Sequence, residues 1–244
     1  MRHRQIVVAI PARDEADSIR ECIESIDRAA AEVAIPVLVV VAADSCTDRT
    51  SHAARRTRTE YCELVVMKGQ WGRAGAARSA AVHCGLQNVS AARGPVWIAN
   101  TDADCVVPPL WLRVQLELAT NLDVVAGIVE LDPVTTTPAM FEAFTSRYHL
   151  DGDNHGHVHG ANIGMCATAY AAVGGWCLQT VVGEDHVIWN ASKEVGHRMR
   201  QTTSLRVVTS ARTRSRVVGG FATDLSTLDS RQSTTMIAEH AIAS

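Results

Sequence analysis

The chain has 244 residues, of which 47% are hydrophobic and 20% charged, and its formal net charge at pH 7 is −3. These values are ordinary for a globular protein with a buried core, and the small charge gives no electrostatic reason to expect a nucleic-acid partner or an anionic membrane surface. No apolar run approaches the ~20 residues that a membrane span needs, so we expect no transmembrane segment.

The start of the chain and its cysteines bear on the cellular compartment. Residues 6–11 follow a basic start and are too few for the core of a signal peptide. The seven cysteines form no Cys-x-x-Cys pair, and their odd number argues against a full disulfide framework. We therefore expect a cytoplasmic protein with mostly reduced cysteines, and peripheral attachment to the inner face of a membrane stays open.

The first half of the chain alternates short apolar runs with helical segments. Continuous apolar runs are typical of strands buried in a parallel sheet, and four strand–helix repeats predict an α/β fold with helices on both faces of a mostly parallel sheet. The predicted strands are residues 5–10, 37–41, 63–67 and 96–99, and the predicted helices are residues 16–31, 48–56, 76–86 and 109–119.

The second half is less regular. Its polar, Ser/Thr-rich end, from residue 225, is either a loosely held terminal helix or a disordered tail. The predicted elements before it are a strand at 124–131, a helix at 138–149, a turn into a strand at 156–166, a helix at 184–195 and a strand at 205–210.

Two carboxylates directly follow the fourth predicted strand. They are Asp102 and Asp104, separated by Ala103. Ligands of open α/β sheets bind outside the carboxyl ends of the strands, and two aspartates at this spacing can share a divalent cation that holds a diphosphate. The alternative is an ordinary Asp-rich turn.

Three further segments occur together with this pair: residues 11–15 (PARDE), residues 43–50 (ADSCTDRT) and Gly183-Glu184-Asp185. With the Asp102-Ala103-Asp104 motif, they have the order and spacing of a known family. The chain resembles a family 2 glycosyltransferase of the GT-A fold over about residues 5–190. Ala43 and Ser45 depart from the family's second motif, usually written Asp-Asp-Gly-Ser-Thr-Asp-x-Thr.

The resemblance implies one domain over residues 1–225, with a nucleotide-binding half at about 1–105 and an acceptor and catalytic half at about 106–225. Residues 226–244 are then a C-terminal tail. It also implies that a nucleotide-diphosphate sugar, with UDP or GDP as its nucleotide, is the donor. The acceptor is a small molecule, a glycan or a lipid-linked molecule, and a homodimer stays open.

The first two motifs are expected to hold the nucleoside. Pro11, Ala12 and Arg13 would form its wall, while Glu15 would reach the ribose or the base, although Arg13 and Glu15 could equally be a solvated surface pair. Asp44 would accept from an N–H of the nucleobase. The alternative for Asp44 is the cap of the following helix.

The diphosphate is expected to lie between a helix start and a metal ion. Residues 72–75 are glycine-rich and open a helix, whose start with an arginine favours phosphate. By the resemblance, Arg78, rather than Arg73, is our candidate beside the phosphates, and a surface arginine on an Ala-rich helix is the alternative. Asp104 would bind Mn²⁺ or Mg²⁺ directly, and Asp102 would reach the ribose or bind the metal through water. A further histidine ligand is left open between His197 and the set of His155, His157 and His159.

A later segment is expected to contact the acceptor or the transferred sugar. A structural turn is the second interpretation, and a zinc site on the three alternating histidines is a distant third. Trp176 could stack on a sugar or belong to the core. The residues proposed for this contact are His159, Gly160, Ala161, Asn162 and Trp176.

The motif at Glu184 and Asp185 is the candidate catalytic pair. By the resemblance, Asp185 takes the proton from the acceptor hydroxyl and Glu184 orients the sugar or Asp185. Two acids in a first helical turn are also ordinary, because the helix dipole favours them. Arg212, Arg214 and Arg216 would clamp the diphosphate, or form a solvated basic edge.

Four functions remain in competition. The leading one is a metal-dependent, inverting, hexosyltransferase-type glycosyltransferase with Asp185 as general base. A retaining GT-A enzyme of the glucosyl- or mannosyl-glycerate type is the closest alternative. A nucleotidyltransferase is disfavoured because residues 11–15 contain no glycine. The non-enzymatic alternative is an inactive module that only binds nucleotide-sugar.

Overall fold

The amino-terminal half forms four parallel strands, as its sequence predicts. The computed structural model describes residues 3–146 and 150–209. The strands are β1 (Gln5–Ala12), β2 (Val37–Asp44), β3 (Glu63–Gly69) and β4 (Val96–Asn100), and the helices that follow the first three are α1 (Ile19–Ala31), α2 (Thr50–Arg56) and α3 (Ala74–Asn88). In the sheet, β1 lies between β2 and β4, and β3 lies on the other side of β2.

Burial explains why these strands read as continuous apolar runs. All eight residues of β2 are buried, and every residue of β1 except Pro11 is buried. Helices cover both faces, so neither face of the strands needs polar residues. The strands run one to three residues past the predicted ends. Pro11 is tolerated in β1 because the pairing with β4 stops at Ala9, where β4 ends.

The second half extends the same sheet but reverses one strand. Its elements are β5 (Cys105–Val106), α4 (Trp111–Leu118), β6 (Val124–Leu131), α5 (Pro138–Thr145), β7 (Leu150–Asp151), β8 (Asn154–His155), β9 (Ile163–Cys166), α6 (Ala167–Ala172), α7 (Glu184–Glu194) and β10 (Met199–Thr209). Eight of the described strands form one sheet in the order β3-β2-β1-β4-β9-β6-β10-β5. In it, β9 is antiparallel to both β4 and β6.

The chain divides into two compact units. The first holds residues up to 130 together with residues 150–208. The second is described only at residues 131–146 and 209, where Leu131 and Met140 pack with Phe144. The predicted domain boundary at residue 225 and the tail at 226–244 lie outside the described residues. Within the part that the structure describes, no helix has the length and apolar character to cross a membrane.

One buried side chain joins several elements beside the carboxyl end of β4. Asn162 is fully buried, and its Nδ2 donates to the carbonyl oxygens of Ile128 in β6 and Leu205 in β10, at 2.9 Å and 3.1 Å. Its Oδ1 accepts from the indole N–H of Trp111 at 2.9 Å. The turn that precedes β9 is therefore fixed to β6 and β10.

Replacing Asn162 by Leu should strongly destabilise the protein. Leucine has the same number of side-chain heavy atoms but cannot bond the two carbonyl oxygens or the indole N–H, and each buried polar group that is left without a partner costs about 1–3 kcal/mol. We expect the free energy of unfolding, measured by urea denaturation, to fall by about 3 kcal/mol or more. Asn121→Leu, at an exposed position after α4, is the control. Equal losses in both variants would contradict the assignment.

Candidate active site

The chemistry-bearing motifs meet at the carboxyl end of β4. Asp102 follows β4, and Asn100 at the end of this strand pairs with Ile163 at the start of the reversed β9. The turn at Gly160–Asn162 therefore lies at the same edge of the sheet as Asp102. Glu184 and Asp185 reach this edge as the first two residues of α7.

A buried arginine joins two of these motifs. Arg78, on α3, is only 2% exposed. Its Nη2 lies 2.6 Å from Oδ1 of Asp102, and its Nη1 lies 3.0 Å from Oε1 of Glu184. The guanidinium also lies 4.7 Å from the centroid of the Trp176 ring. We call Arg78, Asp102 and Glu184 the arginine bridge.

The electrostatics of the arginine bridge reflect its burial. Burial opposes the charged form of Arg78, but the carboxylates of Asp102 and Glu184 outweigh it and raise the pKa of Arg78. Burial also raises the pKa of Asp102, with Glu184 and Asp185 adding to the effect and the guanidinium of Arg78 acting against it. Three carboxyl groups are thus close enough to influence one another.

Two glycines shape the surroundings of Asp185. Gly183 caps α7 with φ of +87°, a left-handed conformation that glycine adopts without strain. Gly160 approaches the guanidinium of Arg78 so closely that a Cβ there would lie 2.8 Å from Nη1. The backbone N–H of Gly160 donates to Oδ2 of Asp185 at 3.2 Å, and the N–H of His186 donates to Oδ1 at 2.8 Å.

The buried thiol of Cys22 lies near the Asp102-Ala103-Asp104 motif and near Glu15 of the first motif. Burial raises the pKa of Cys22 far above its usual range, and the carboxylates of Asp104, Asp102 and Glu15 raise it further. These acids therefore lie near one side chain, and the thiol of Cys22 donates to the backbone oxygen of Asp102 at 3.3 Å. Hard divalent cations bind to one or two carboxylates together with substrate phosphates, so this pair of aspartates suits Mg²⁺ or Mn²⁺.

Asp44 stabilises a loop as well as ending β2. Its Oδ1 accepts from the backbone N–H groups of Trp71 and Gly72, at 2.6 Å and 3.0 Å, and from the hydroxyl of Ser45 at 3.0 Å. Asp44 thus fixes the approach to α3 rather than the start of α2. Among the described residues, Oδ2 of Asp44 has no hydrogen-bond partner. Nothing in the sequence signals the contact with Trp71.

The segment after β1 is braced by the loop after β2. Oδ1 of Asp14 accepts from the N–H groups of Thr47 and Asp48, at 2.7 Å and 3.2 Å, and Oδ2 of Asp48 accepts from the N–H of Ala16 at 3.0 Å. Ligand atoms of Asp14, Cys46 and Asp48 lie within 4.8 Å of one another. Because the carboxylates accept these amide hydrogen bonds, we interpret the group as a loop brace.

The sequence of residues 7–173 matches the profile of the family described as glycosyl transferase family 2. This match covers more than half of the chain. The chain belongs to glycosyl transferase family 2. The resemblance carried by the motifs is therefore confirmed. Among proteins of curated function, none matches the sequence.

Solved glycosyltransferase structures share the fold. S. aureus TarS 1-349, solved in complex with UDP-GlcNAc, is 15% identical, with a TM-score of 0.65 over 89% of this chain and 61% of that one. Mannosyltransferase PcManGT from Pyrobaculum calidifontis, solved with GDP-Man and Mn²⁺, is 21% identical, with a TM-score of 0.60 over 88% and 59%. The GT-A fold is thus confirmed. This chain spans about three fifths of either neighbour's length.

Three of the predicted sugar contacts have packing roles. Asn162 is fully buried by the bonds described above, and Trp176 is 2% exposed. The indole N–H of Trp176 donates to Oδ1 of Asn100 at 3.2 Å, and its ring faces Arg78. Ala161 is 6% exposed. Their residue types suggested sugar binding, but their burial assigns them to the core.

The histidine candidates for a metal ligand lie in different places. His197 lies near Asp123. The guanidinium of Arg198 lowers the pKa of Asp123, and His197 lowers it to a smaller extent. Asp123 precedes β6, which runs parallel to β4, so His197 lies at the opposite edge of the sheet from Asp102. It is therefore not a ligand of a metal held by Asp102 or Asp104.

The other three histidines form a stack. The ring centroids of His155 and His157 are 6.1 Å apart, and those of His157 and His159 are 6.0 Å apart, as expected for alternate residues of an extended segment. Burial, followed by the neighbouring His157, His155 and His186, lowers the pKa of His159 to about 4. The candidate diphosphate clamp of Arg212, Arg214 and Arg216 lies outside the described residues.

The low pKa of His159 predicts acid sensitivity. An unfolded histidine has a pKa near 6.5, so below this pH the unfolded chain binds a proton that the folded protein binds only near pH 4. The free energy of unfolding should therefore fall as the pH drops from 6.5 to 4, by at most ~1.4 kcal/mol per unit.

Urea denaturation at several pH values tests this prediction. His159→Gln should flatten the dependence in this window whatever its effect on the stability at neutral pH. His52→Gln, on the exposed side of α2, should leave the dependence unchanged. The same slope for His159→Gln and the wild type would show that another group is responsible.

Proposed function

We propose that this protein is a metal-dependent glycosyltransferase that transfers a sugar from a nucleotide-diphosphate sugar to an acceptor hydroxyl, with inversion at the anomeric carbon. The observation that carries this proposal is the arginine bridge. It joins Asp102 of the metal motif to Glu184, the neighbour of the candidate base Asp185. A donor held at the first motif would therefore lie beside the group that activates the acceptor.

The donor side of the site is supported by its carboxylates and by the structural neighbours. TarS was solved with UDP-GlcNAc, and PcManGT with GDP-Man and Mn²⁺. In this chain, Asp104 and the exposed part of Asp102 would hold Mn²⁺ or Mg²⁺, whose Lewis acidity neutralises charge on the leaving nucleoside diphosphate. Oδ2 of Asp44 accepts no hydrogen bond among the described residues, and it would accept from an N–H of uracil or guanine. Pro11, Ala12, Arg13 and Glu15 lie at the same edge and would flank the nucleoside.

Asp185 is suited to the role of general base. Each of its carboxylate oxygens accepts one amide hydrogen bond, which orients the group and leaves further lone pairs for an acceptor hydroxyl. The acceptor oxygen would attack the anomeric carbon while its proton passes to Asp185. The bond from that carbon to the diphosphate oxygen breaks, and the nucleoside diphosphate leaves with the electron pair.

Donor binding should depend on the metal through Asp104. We expect UDP or GDP to bind the wild type in the presence of Mn²⁺ and to bind at least about tenfold more weakly with a chelator. The chelator removes the cation that would link the carboxylate of Asp104 to the phosphates. Asp104→Asn should abolish the difference between Mn²⁺ and chelator. Isothermal titration calorimetry measures both affinities.

The control for this experiment removes a carboxylate elsewhere. Glu117→Gln changes an exposed side chain of α4 that pairs only with Arg113 among the interactions seen, and it should keep the metal dependence. Equal nucleotide affinity with Mn²⁺ and with chelator in the wild type would refute the metal assignment.

Asp185→Asn should separate chemistry from binding. Asparagine keeps the size of the side chain but cannot act as a base, so kcat should fall by about two to four decades while donor affinity stays nearly constant. The assay is transfer from the donor identified by binding, and the anomeric configuration of the product is determined by NMR.

Two results would contradict the assignment of Asp185. One is a product that retains the donor's anomeric configuration, made by a variant that is still active, which would favour the retaining alternative. The other is a loss of activity as large in Glu117→Gln as in Asp185→Asn, since Glu117 is remote in sequence and exposed.

A further inference from the structure

Arg78 has no exposed surface with which to bind a diphosphate. The residue is 2% exposed, and both terminal nitrogens of its guanidinium are engaged by the carboxylates of Asp102 and Glu184. The ring of Trp176 and the backbone of Gly160 lie against the same group. At the start of α3, by contrast, the side chain of Arg73 is exposed. The role that the sequence suggested for Arg78 therefore does not fit its surroundings.

We propose that Arg78 is a positioning residue of the transfer reaction. It holds the carboxylate of Asp102 and the turn that carries Glu184 and Asp185 at a fixed separation, and it does not bind the diphosphate. This inference rests on the proposed function, because it assigns a distance between donor and base that matters only if sugar transfer takes place.

The chemistry of the guanidinium explains why an arginine is needed. Asp102 lies 24 residues from Arg78 in sequence and Glu184 lies 106 residues from it, so three separate segments meet at one side chain. A planar guanidinium presents donors in a rigid fork and can bind two carboxylates at once in defined directions. A lysine ammonium is a single flexible point charge and does not fix the angle between them.

The contacts of Arg78 also reach the two supports of Asp185. Glu184 precedes Asp185 in the first turn of α7, and Gly160 donates its N–H to Oδ2 of Asp185 while its Cα packs on the guanidinium. A change in the position of the guanidinium would therefore move both supports together. Misplacing a reacting group by about 1 Å can lower a rate by about 100-fold.

The first test is Arg78→Lys, which keeps the positive charge. We expect kcat to fall about 100-fold, while the KM for donor and the Kd for UDP or GDP with Mn²⁺ change by less than about threefold. Circular dichroism establishes that the variant is folded at the assay temperature. Arg113→Lys is the matched control, because Arg113 is exposed and pairs with a single carboxylate at 3.1 Å.

A second variant tests the same idea without changing any charge. In Gly160→Ala, the new Cβ would lie 2.8–2.9 Å from guanidinium atoms of Arg78, so the guanidinium must shift. We expect a loss of kcat of at least about tenfold with unchanged nucleotide affinity. Gly156→Ala is the control, since no atom lies within 4 Å of a Cβ built there.

The outcomes separate the competing roles of Arg78. A variant that binds UDP or GDP much more weakly but keeps its kcat would overturn the inference in favour of a direct phosphate contact. A lower melting temperature with an unchanged kcat of the folded protein, in both Arg78→Lys and Gly160→Ala, would also overturn it, because the role would then be structural only. A wild type that neither binds donors nor transfers sugar would refute the proposed function itself.

Discussion

A buried guanidinium with two carboxylate partners constrains the rest of this site. Removing charges from water costs several kcal/mol per ion, and the cost is offset only when the geometry of the pairs is good. Arg78 and Glu184 are largely shielded, with side chains 2% and 13% exposed, whereas the side chain of Asp102 is 39% exposed. The protein therefore gains little stability from the arginine bridge, but the arrangement of three segments is fixed before any ligand binds, as electrostatic preorganisation requires.

The sheet supplies the framework for this arrangement. Asn100, at the end of β4, donates from Nδ2 to the carbonyl oxygen of Ile163 at 3.0 Å and accepts from the indole of Trp176 at 3.2 Å. Because β9 is reversed, its first residue lies beside the last residue of β4. A continuous set of contacts thus runs from the parallel strands through Trp176 to Arg78. The reversed strand brings the second half of the chain to the carboxyl ends of the first four strands.

The sequence predicted the sheet well because buried parallel strands leave a local trace. Apolar runs gave β1 to β4 within a few residues, and Asp102 and Asp104 follow β4 directly, as predicted. The arginine bridge could not be predicted, because its members are 24 and 106 residues apart and are brought together only by the topology. The reversal of β9 has no local signal either. The chemistry of Asn162 and Trp176 suits a sugar, and the core was the alternative for Trp176, but only the fold decides that both are buried.

The two acids at the start of α7 acquire different roles from their surroundings. Glu184 directs Oε1 at Arg78 and is mostly shielded, so one of its oxygens is committed to the arginine bridge. Asp185, one residue later, is also partly buried and accepts from the backbone N–H groups of Gly160 and His186. The adjacent pair thus combines a carboxylate anchored by a guanidinium with one oriented by backbone amides, and the first turn of α7 links the position of one to that of the other.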